Sequence, residues 1–199
     1  MNKYIVIRKP SVLNWDQVPK IHMEYMDWTP LADISATAQI CYDEEALYVC
    51  LEAKEADIRA EYKGRLDLPC LDSCLEFFFK PEAEDERYIN IECNPNCCLY
   101  CGIGMISSSR IRLFPEDADV FCPKVTYTED GWRITYQVPV TFLNNFFPEF
   151  TLSSGKVILA NFYKCGEETK KRHYLAWNKV MSKWPDFHRP QDFGVLELI

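Results

Sequence analysis

The amino-acid sequence predicts an all-β fold: an antiparallel β-sandwich of two packed sheets, jelly-roll or immunoglobulin-like, with one or two short helices. Three observations point there. Apolar and polar residues alternate with a period of two along about a dozen short runs, turn residues separate those runs, and helical spacing is scarce. Hydrophobic residues make up 48% and aromatics 14% of the 199 residues, enough for a sizeable core and too much for a disordered chain. With no fixed-period repeat, low-complexity segment or linker, residues 1–199 read as a single domain.

In order, strands are expected over 4–8, 38–42 and 46–53, the last two joined as a hairpin across Asp43, Glu44 and Glu45. Further strands are expected over 74–79 and 87–93, on either side of a charged turn at 81–86. Runs at 99–105, 110–114, 124–127, 132–138, 156–163, 172–176 and 195–198 complete the series. Thr141 as a cap, with apolar residues at helical spacing after it, predicts a turn or two of helix over 141–147; a weaker pattern spans 57–62.

The net charge is −8, from 22 basic and 30 acidic residues, with no basic run. A nucleic-acid partner is therefore not expected, because phosphate binders concentrate Lys and Arg on one face. No span reaches the roughly 18 apolar residues of a membrane helix, and no membrane partner is expected. The first residues show no apolar leader, so the expectation is a cytoplasmic protein, or a secreted one if a leader has been removed. In that setting the ten cysteines read as reduced thiols, several of them serving as small core hydrophobes.

Chemistry concentrates in three places. The last forty residues carry seven aromatics, a Trp177-Asn178 pair and an Asp-Phe-His-Arg-Pro cluster at 186–190. Aromatic faces beside amides and charged tips suit a polar ligand with apolar ring faces, such as a sugar. Lys164, His173, His188 and Arg189 join this constellation; an Arg fork and a neutral imidazole read hydroxyls or a carboxylate. Equally, the 188–190 turn reads as side chains that satisfy loop carbonyls.

The second place is the pair of runs at 72–79 and 88–94. Strand alternation puts Tyr88, Asn90, Glu92 and Asn94 on one side and Ile89, Ile91 and Cys93 on the other. Glu76 shares a face with Cys74 and Phe78, so if the two strands pair it falls near Asn90. A carboxylate beside an amide exchanges hydrogen bonds with vicinal hydroxyls. A solvated outer face reads equally well from spacing alone. Third, Cys93, Cys97, Cys98 and Cys101 are a weak zinc candidate, since adjacent Cys97 and Cys98 point oppositely in extended chain.

Five segments now resemble a known family in their order. They are Asp-Ser-Cys-Leu-Glu-Phe-Phe at 72–78, Tyr-Ile-Asn-Ile-Glu-Cys-Asn-Pro at 88–95, and Gly-Trp-Arg-Ile-Thr-Tyr-Gln-Val-Pro at 131–139. Ala-Asn-Phe-Tyr-Lys-Cys-Gly at 160–166 and Asp-Phe-His-Arg-Pro-Gln-Asp-Phe-Gly at 186–194 follow. Over roughly residues 30–199 the chain resembles the family 9 carbohydrate-binding modules, in particular their short stand-alone members. That resemblance implies a two-sheet sandwich and non-catalytic binding of an oligo- or polysaccharide in carbohydrate catabolism. The xylanase-attached members hold xylan and cellulose chain ends between two Trp faces, and some carry structural calcium.

By the same resemblance Glu76 and Asn90 read hydroxyls, with Tyr88 and Glu92 beside them. Trp177 matches one aromatic wall, and Asn178, His188 and Arg189 form the rim. The other wall, a Trp six residues before the strand carboxylate, is Cys70 here; Trp28 or Trp184 would have to replace it. Two rivals remain. One is a glycoside hydrolase using carboxylates such as Glu76 with Glu92, or Asp117 with Asp119. The other is a haem- or metal-binding sandwich with His173, His188 or a Met as ligand.

Overall fold

A computed structural model describes residues 1–30, 33–115, 117 and 119–199. Among these residues the fold is all-β, with thirteen strands, one four-residue α-helix and four single turns of 3-10 helix. The strands are β1 Lys3–Arg8, β2 Ile21–His22, β3 Ser35–Tyr42, β4 Ala46–Lys54, β5 Ser73–Lys80, β6 Tyr88–Cys93 and β7 Leu99–Gly104. They continue as β8 Arg110–Arg112, β9 Lys124–Tyr127, β10 Gly131–Pro139, β11 Val157–Gly166, β12 His173–Ala176 and β13 Gly194–Leu198. Each run expected from alternation is present within a few residues of its expected ends. The two-residue β2 was not expected, because two residues cannot show a period.

The strands follow one hydrogen-bonded path, β8-β7-β6-β5-β11-β13-β1-β3-β4-β10-β9, with β12 on the edge of β11 and β2 on the edge of β3. The sheet is mixed, which corrects the wholly antiparallel expectation. Lys3 to Val6 of β1 pair in parallel with β13, and Ile7 and Arg8 pair in parallel with β3. One strand thus changes partners halfway and joins two otherwise antiparallel arms. Alternation within a single chain shows which faces are buried but carries no information on strand direction.

The sheet curls so that both arms supply one core. Leu75, Phe77 and Phe79 of β5 share it with Ile40 of β3, Leu51 of β4, and Trp132 and Ile134 of β10. Phe77 stacks on Phe79 at 4.5 Å and on Phe162 at 4.7 Å between ring centroids. Each such fully buried side chain contributes on the order of 1.5–3 kcal/mol. The expected helix is present as α1, Val140–Leu143, starting directly after Pro139 and shorter than its pattern. The 57–62 segment is not helical. Instead the buried Asp72 carboxylate accepts the backbone N–H of Glu61 and of Tyr62, each at 2.9 Å, and pairs with Arg59. Among the described residues no helix is long and apolar enough to cross a membrane.

Candidate functional site

On the face of β5 and β6 turned away from the shared core, strand register builds a transverse row. Tyr163 of β11 lies opposite Glu76 of β5, Glu76 opposite Glu92 of β6, and Glu92 opposite Tyr100 of β7. One step along, Cys165 pairs with Cys74. Both strands are buried on both faces, which is why the apolar run Leu-Glu-Phe-Phe-Phe shows no clean alternation. The side chains of the row form the floor of a cleft of about 510 Å³. Glu76, Glu92, Cys165 and Tyr100 lie beneath it, Arg110 of β8 and His188 close one side, and Cys70 and Tyr174 lie across from them, with Phe187 also in the lining.

Gly102 shapes the floor. A Cβ there would stand 2.7 Å from Asn90 Oδ1 and 2.8 Å from the Tyr100 ring, so only glycine lets that amide and that ring lie side by side. The 185–188 segment crosses above. Phe187 stacks on Tyr163 with ring centroids 4.0 Å apart and planes 10° apart, and Trp28 packs on Phe187 and edge-on to Tyr174, at 5.8 Å in both cases. The cleft therefore pairs aromatic rings with a carboxylate floor.

The electrostatics are unusual for so polar a floor. Glu76 is 2% and Glu92 5% exposed. Burial, and then the charge of Glu92, push the Glu76 carboxyl well above the ordinary carboxylate range. Burial also raises Glu92, while Arg110 and the Asn90 amide, donating at 2.7 Å, pull it back. Glu76 accepts a hydrogen bond from Cys165 Sγ at 3.0 Å. His188 shares a 2.9 Å hydrogen bond with the Tyr88 hydroxyl, and the Arg110 guanidinium lies against its ring nitrogens. Burial and then that positive charge push the His188 pKa down to about 3, so the imidazole is neutral near pH 7.

The sequence-based candidates divide between the cleft and the scaffold. Glu76, Glu92 and His188 line the cleft; Asn90 and Tyr88 stand directly behind them, holding Glu92 and His188. Glu76 faces Glu92, whereas Asn90 faces Phe78. Trp177 corrects the expected aromatic wall: it is 6% exposed and packs in the shared core, 5.9 Å from Phe162. Asn178 is also scaffold, its Oδ1 accepting from the Asn2 N–H and its Nδ2 donating to the Asp192 carbonyl, each at 2.7 Å. Arg189 donates to Asp192 at 2.7 Å. Asn94 donates to Asp72 and, through Oδ1, accepts the N–H of Cys98.

Of the tryptophans proposed to replace the missing wall, Trp28 lies behind Phe187 and Trp184 is exposed, and neither lines the cleft. Lys164 and His173 are buried far from the rim and bonded to each other at 2.8 Å. The four-cysteine zinc candidate does not converge: Cys93 and Cys101 enter the shared core, and Cys98 donates to the Gly64 carbonyl. All ten cysteines are free thiols. Among the described residues, the group of three His, Cys, Asp or Glu side chains that does converge is Cys74, Glu76 and Cys165. Two sulfur donors do not suit calcium, a hard cation that takes six to eight oxygens.

Sequence reasoning missed Tyr100, Arg110, Cys165, Tyr174 and Phe187 as cleft residues. The usable signal for Arg110 was the Arg-Ile-Arg alternation after the Ser107-Ser108-Ser109 turn that follows a Gly-x-Gly strand end.

An all-β domain with a cleft that has a polar floor and aromatic rings around it belongs to the class of ligand-binding β modules. A family model described as carbohydrate-binding family 9 matches residues 8–198, and the chain belongs to that family. No curated protein matches the chain. Among solved structures, a proposed carbohydrate-binding protein from Bacteroides uniformis is 24% identical, covers 99% of both chains and superposes with a TM-score of 0.86. A family 9 carbohydrate-binding module from Caldicellulosiruptor kristjanssonii, solved with cellotriose, is 14% identical with a TM-score of 0.70, covering 99% of this chain and 93% of its own. Its complex with glucose is 14% identical with a TM-score of 0.69, covering 100% and 96%. At these identities the structural likeness concerns the fold.

Proposed function

We propose that this protein binds carbohydrate without transforming it, holding an oligosaccharide or a polysaccharide chain end in the cleft above Glu76 and Glu92. The observation that carries the reading is the cross-strand row Glu76–Glu92–Tyr100 at the floor of a cleft with aromatic lining, in a chain of carbohydrate-binding family 9. Carboxyl groups at the floor exchange hydrogen bonds with vicinal hydroxyls, Arg110 donates from the side, and Tyr100, Tyr174 and Phe187 offer ring surface to the apolar faces of a sugar. Two buried acids at the floor disfavour uronates and favour neutral sugars. The glucose and cellotriose complexes of the Caldicellulosiruptor kristjanssonii module support gluco- or xylo-configured chain ends as the ligand class. The curled sheet is, in this reading, the family's two-sheet sandwich with β1 crossing between the sheets.

Titration with xylo-, cello-, manno- and uronate oligosaccharides, followed by calorimetry, tests this. Neutral chain ends should bind with millimolar-to-micromolar affinity, about −4 to −8 kcal/mol, and Glu76→Gln should weaken them. Silence across the panel from folded protein would overturn the reading. Release of reducing sugar that disappears in Glu76→Gln would replace it with hydrolysis, for which two opposed carboxyl groups are the requirement.

A further inference from the structure

At the deep end of the cleft floor, two cysteines and a glutamate from neighbouring strands point at one another. Cys74 and Cys165 are directly opposed across the β5–β11 pairing, and Glu76 follows Cys74 on the same face. One ligand atom from each lies within 4.8 Å of the others, and the three side chains are 0%, 2% and 2% exposed. A carboxyl so buried is held ionised only by a cationic or multi-donor partner, and otherwise keeps its proton. Here Cys165 Sγ is the hydrogen-bond donor to Glu76, and no Lys, Arg or His nitrogen lies within ion-pair distance of it among the described residues. The arrangement lacks a positive charge at the point where three anionic ligands would converge.

We propose that Cys74, Glu76 and Cys165 bind one thiophilic divalent cation of the zinc class. Two sulfurs and one carboxylate oxygen are soft-to-borderline donors that select zinc over calcium or magnesium. Zinc–sulfur bonds near 2.3 Å and zinc–oxygen bonds near 2.0–2.2 Å place tetrahedral ligand atoms roughly 3.5–4 Å apart, within the span seen here. Three protein ligands leave a fourth position, and because Glu76 and Cys165 themselves line the cleft, that position opens into it for water or a ligand hydroxyl. On binding, both thiols and the Glu76 carboxyl give their protons to solvent, so uptake of the dication leaves the site with one net negative charge. The register that opposes Cys74 to Cys165 makes the site a property of the sheet, independent of whether the cleft takes a sugar.

The test uses the whole chain, reduced, stripped with chelator and free of sugar. Titration with Co²⁺ should saturate at one equivalent and give thiolate-to-cobalt charge transfer with the intense visible bands of a tetrahedral site, and Zn²⁺ should displace it. X-ray absorption of the zinc-loaded wild type should count two sulfur neighbours and two light atoms. Cys165→Ser and Glu76→Gln should each weaken Zn²⁺ at least about 100-fold, with Cys165→Ser also halving the charge-transfer intensity. Cys98→Ser, which alters a thiol outside the group, should change neither. Folded wild type that shows no thiolate charge transfer, or whose bands keep their full intensity in Cys165→Ser, would overturn the proposal. Sugar titration of the metal-free protein separates this outcome from the fate of the carbohydrate reading.

Discussion

Lys164 Nζ lies 3.1 Å from Glu55 Oε1, and neither side chain is reached by solvent. The ammonium also donates to the Cys165 carbonyl at 2.9 Å and meets His173 Nε2 at 2.8 Å. Glu55 accepts from Ser73 Oγ at 2.9 Å and from Trp132 Nε1 at 2.7 Å. One buried ion pair therefore links β11 and β12 to β5 and to β10 on the other arm. Satisfying every partner is what makes a charge tolerable at this depth. The same arrangement explains why Lys164 and His173 are absent from the rim.

Removing one partner should be far worse than removing both. Lys164→Met leaves Glu55 buried with no cation and should cost about 3–5 kcal/mol. Lys164→Met combined with Glu55→Leu should cost less than Lys164→Met alone. Urea unfolding of wild type, Lys164→Met, Glu55→Leu and the double variant measures this; a double variant as damaged as the sum of the singles would mean the pair is not coupled.

Two buried imidazoles should each lower stability as the pH falls below neutral. Burial and the charge of Lys164 push the His173 pKa down from 6.5 to about 4, and His188 is pushed from 6.5 to about 3. Both folded-state values lie below the free value, so the unfolded chain takes up the protons first as pH drops. The contribution is intact above about pH 6.5 and is lost progressively toward pH 4 for His173 and pH 3 for His188, at up to ~1.4 kcal/mol per pH unit for each ring. Burial raises the Glu76 and Glu92 carboxyls, which shifts stability the opposite way over part of this range, so the readout is a difference: wild type should lose stability relative to His188→Gln from pH 7.5 to 6.0 to 5.0. A difference that stays constant with pH would mean that the His188 ring is as accessible to protons in the fold as outside it.

Trp177→Ala should behave as a core deletion. The ring packs against Phe162, and a Cβ on Gly194 would stand 2.8 Å from it, so the neighbouring strand is fitted to the indole. A loss of roughly 3–5 kcal/mol is expected, with Trp177→Phe milder. Oligosaccharide affinity of the folded Trp177→Phe protein should match wild type; a large drop would return the indole to the binding surface.

Trp177 also shows where sequence reading ends. Alternation identified the strands because a half-buried strand writes its period into the chain, and β10 Gly131–Pro139 alternates cleanly. It gave Glu76, Asn90 and Glu92 their faces but set Glu76 near Asn90, whereas the register of the two strands opposes it to Glu92. It could not say that β1 runs parallel to both its neighbours, since pairing direction leaves no mark on a single strand. Nor could it separate an aromatic that walls a cleft from one that fills a core. That distinction between Trp177 and Phe187 is set by how the 185–188 segment folds back over Tyr163, a contact between residues 24 apart of the kind the Tyr163 hydroxyl makes to the Phe187 carbonyl at 3.2 Å. Arg110 reached the site through the β7–β8 pairing opposite Gly104, equally a matter of tertiary register.

Phe187→Ala should weaken carbohydrate binding. The ring is a half-buried aromatic lining the cleft, held in place by its stack on Tyr163. By analogy with ring pairs its stacking is worth about 0.5–1.5 kcal/mol, a 2- to 12-fold loss of affinity. Phe187→Tyr should retain most of it. Calorimetry with the best-binding oligosaccharide decides, and undiminished affinity in Phe187→Ala would remove this ring from the contact surface.

Gly102→Ala should separate binding from folding most sharply. Gly102 faces Asn90 across the β6–β7 pairing, and its φ is not in the left-handed region, so an alanine meets no backbone strain there. In a strand the added methyl by itself changes stability by about 1 kcal/mol or less. The obstacle is local: the methyl carbon would lie 2.7 Å from Asn90 Oδ1 and 2.8 Å from the Tyr100 ring. Tyr100 is half-buried at the open end of the row and is the part free to give way, turning away from its place beside Glu92. Asn90, fully buried and bonded to Glu92, is the part that cannot. The expected result is a near-native urea midpoint with oligosaccharide affinity reduced ~10-fold or more, since both the ring surface and the orientation of Glu92 are disturbed. Wild-type affinity in a folded Gly102→Ala protein would show that the ligand does not rest on the Glu92–Tyr100 end of the floor.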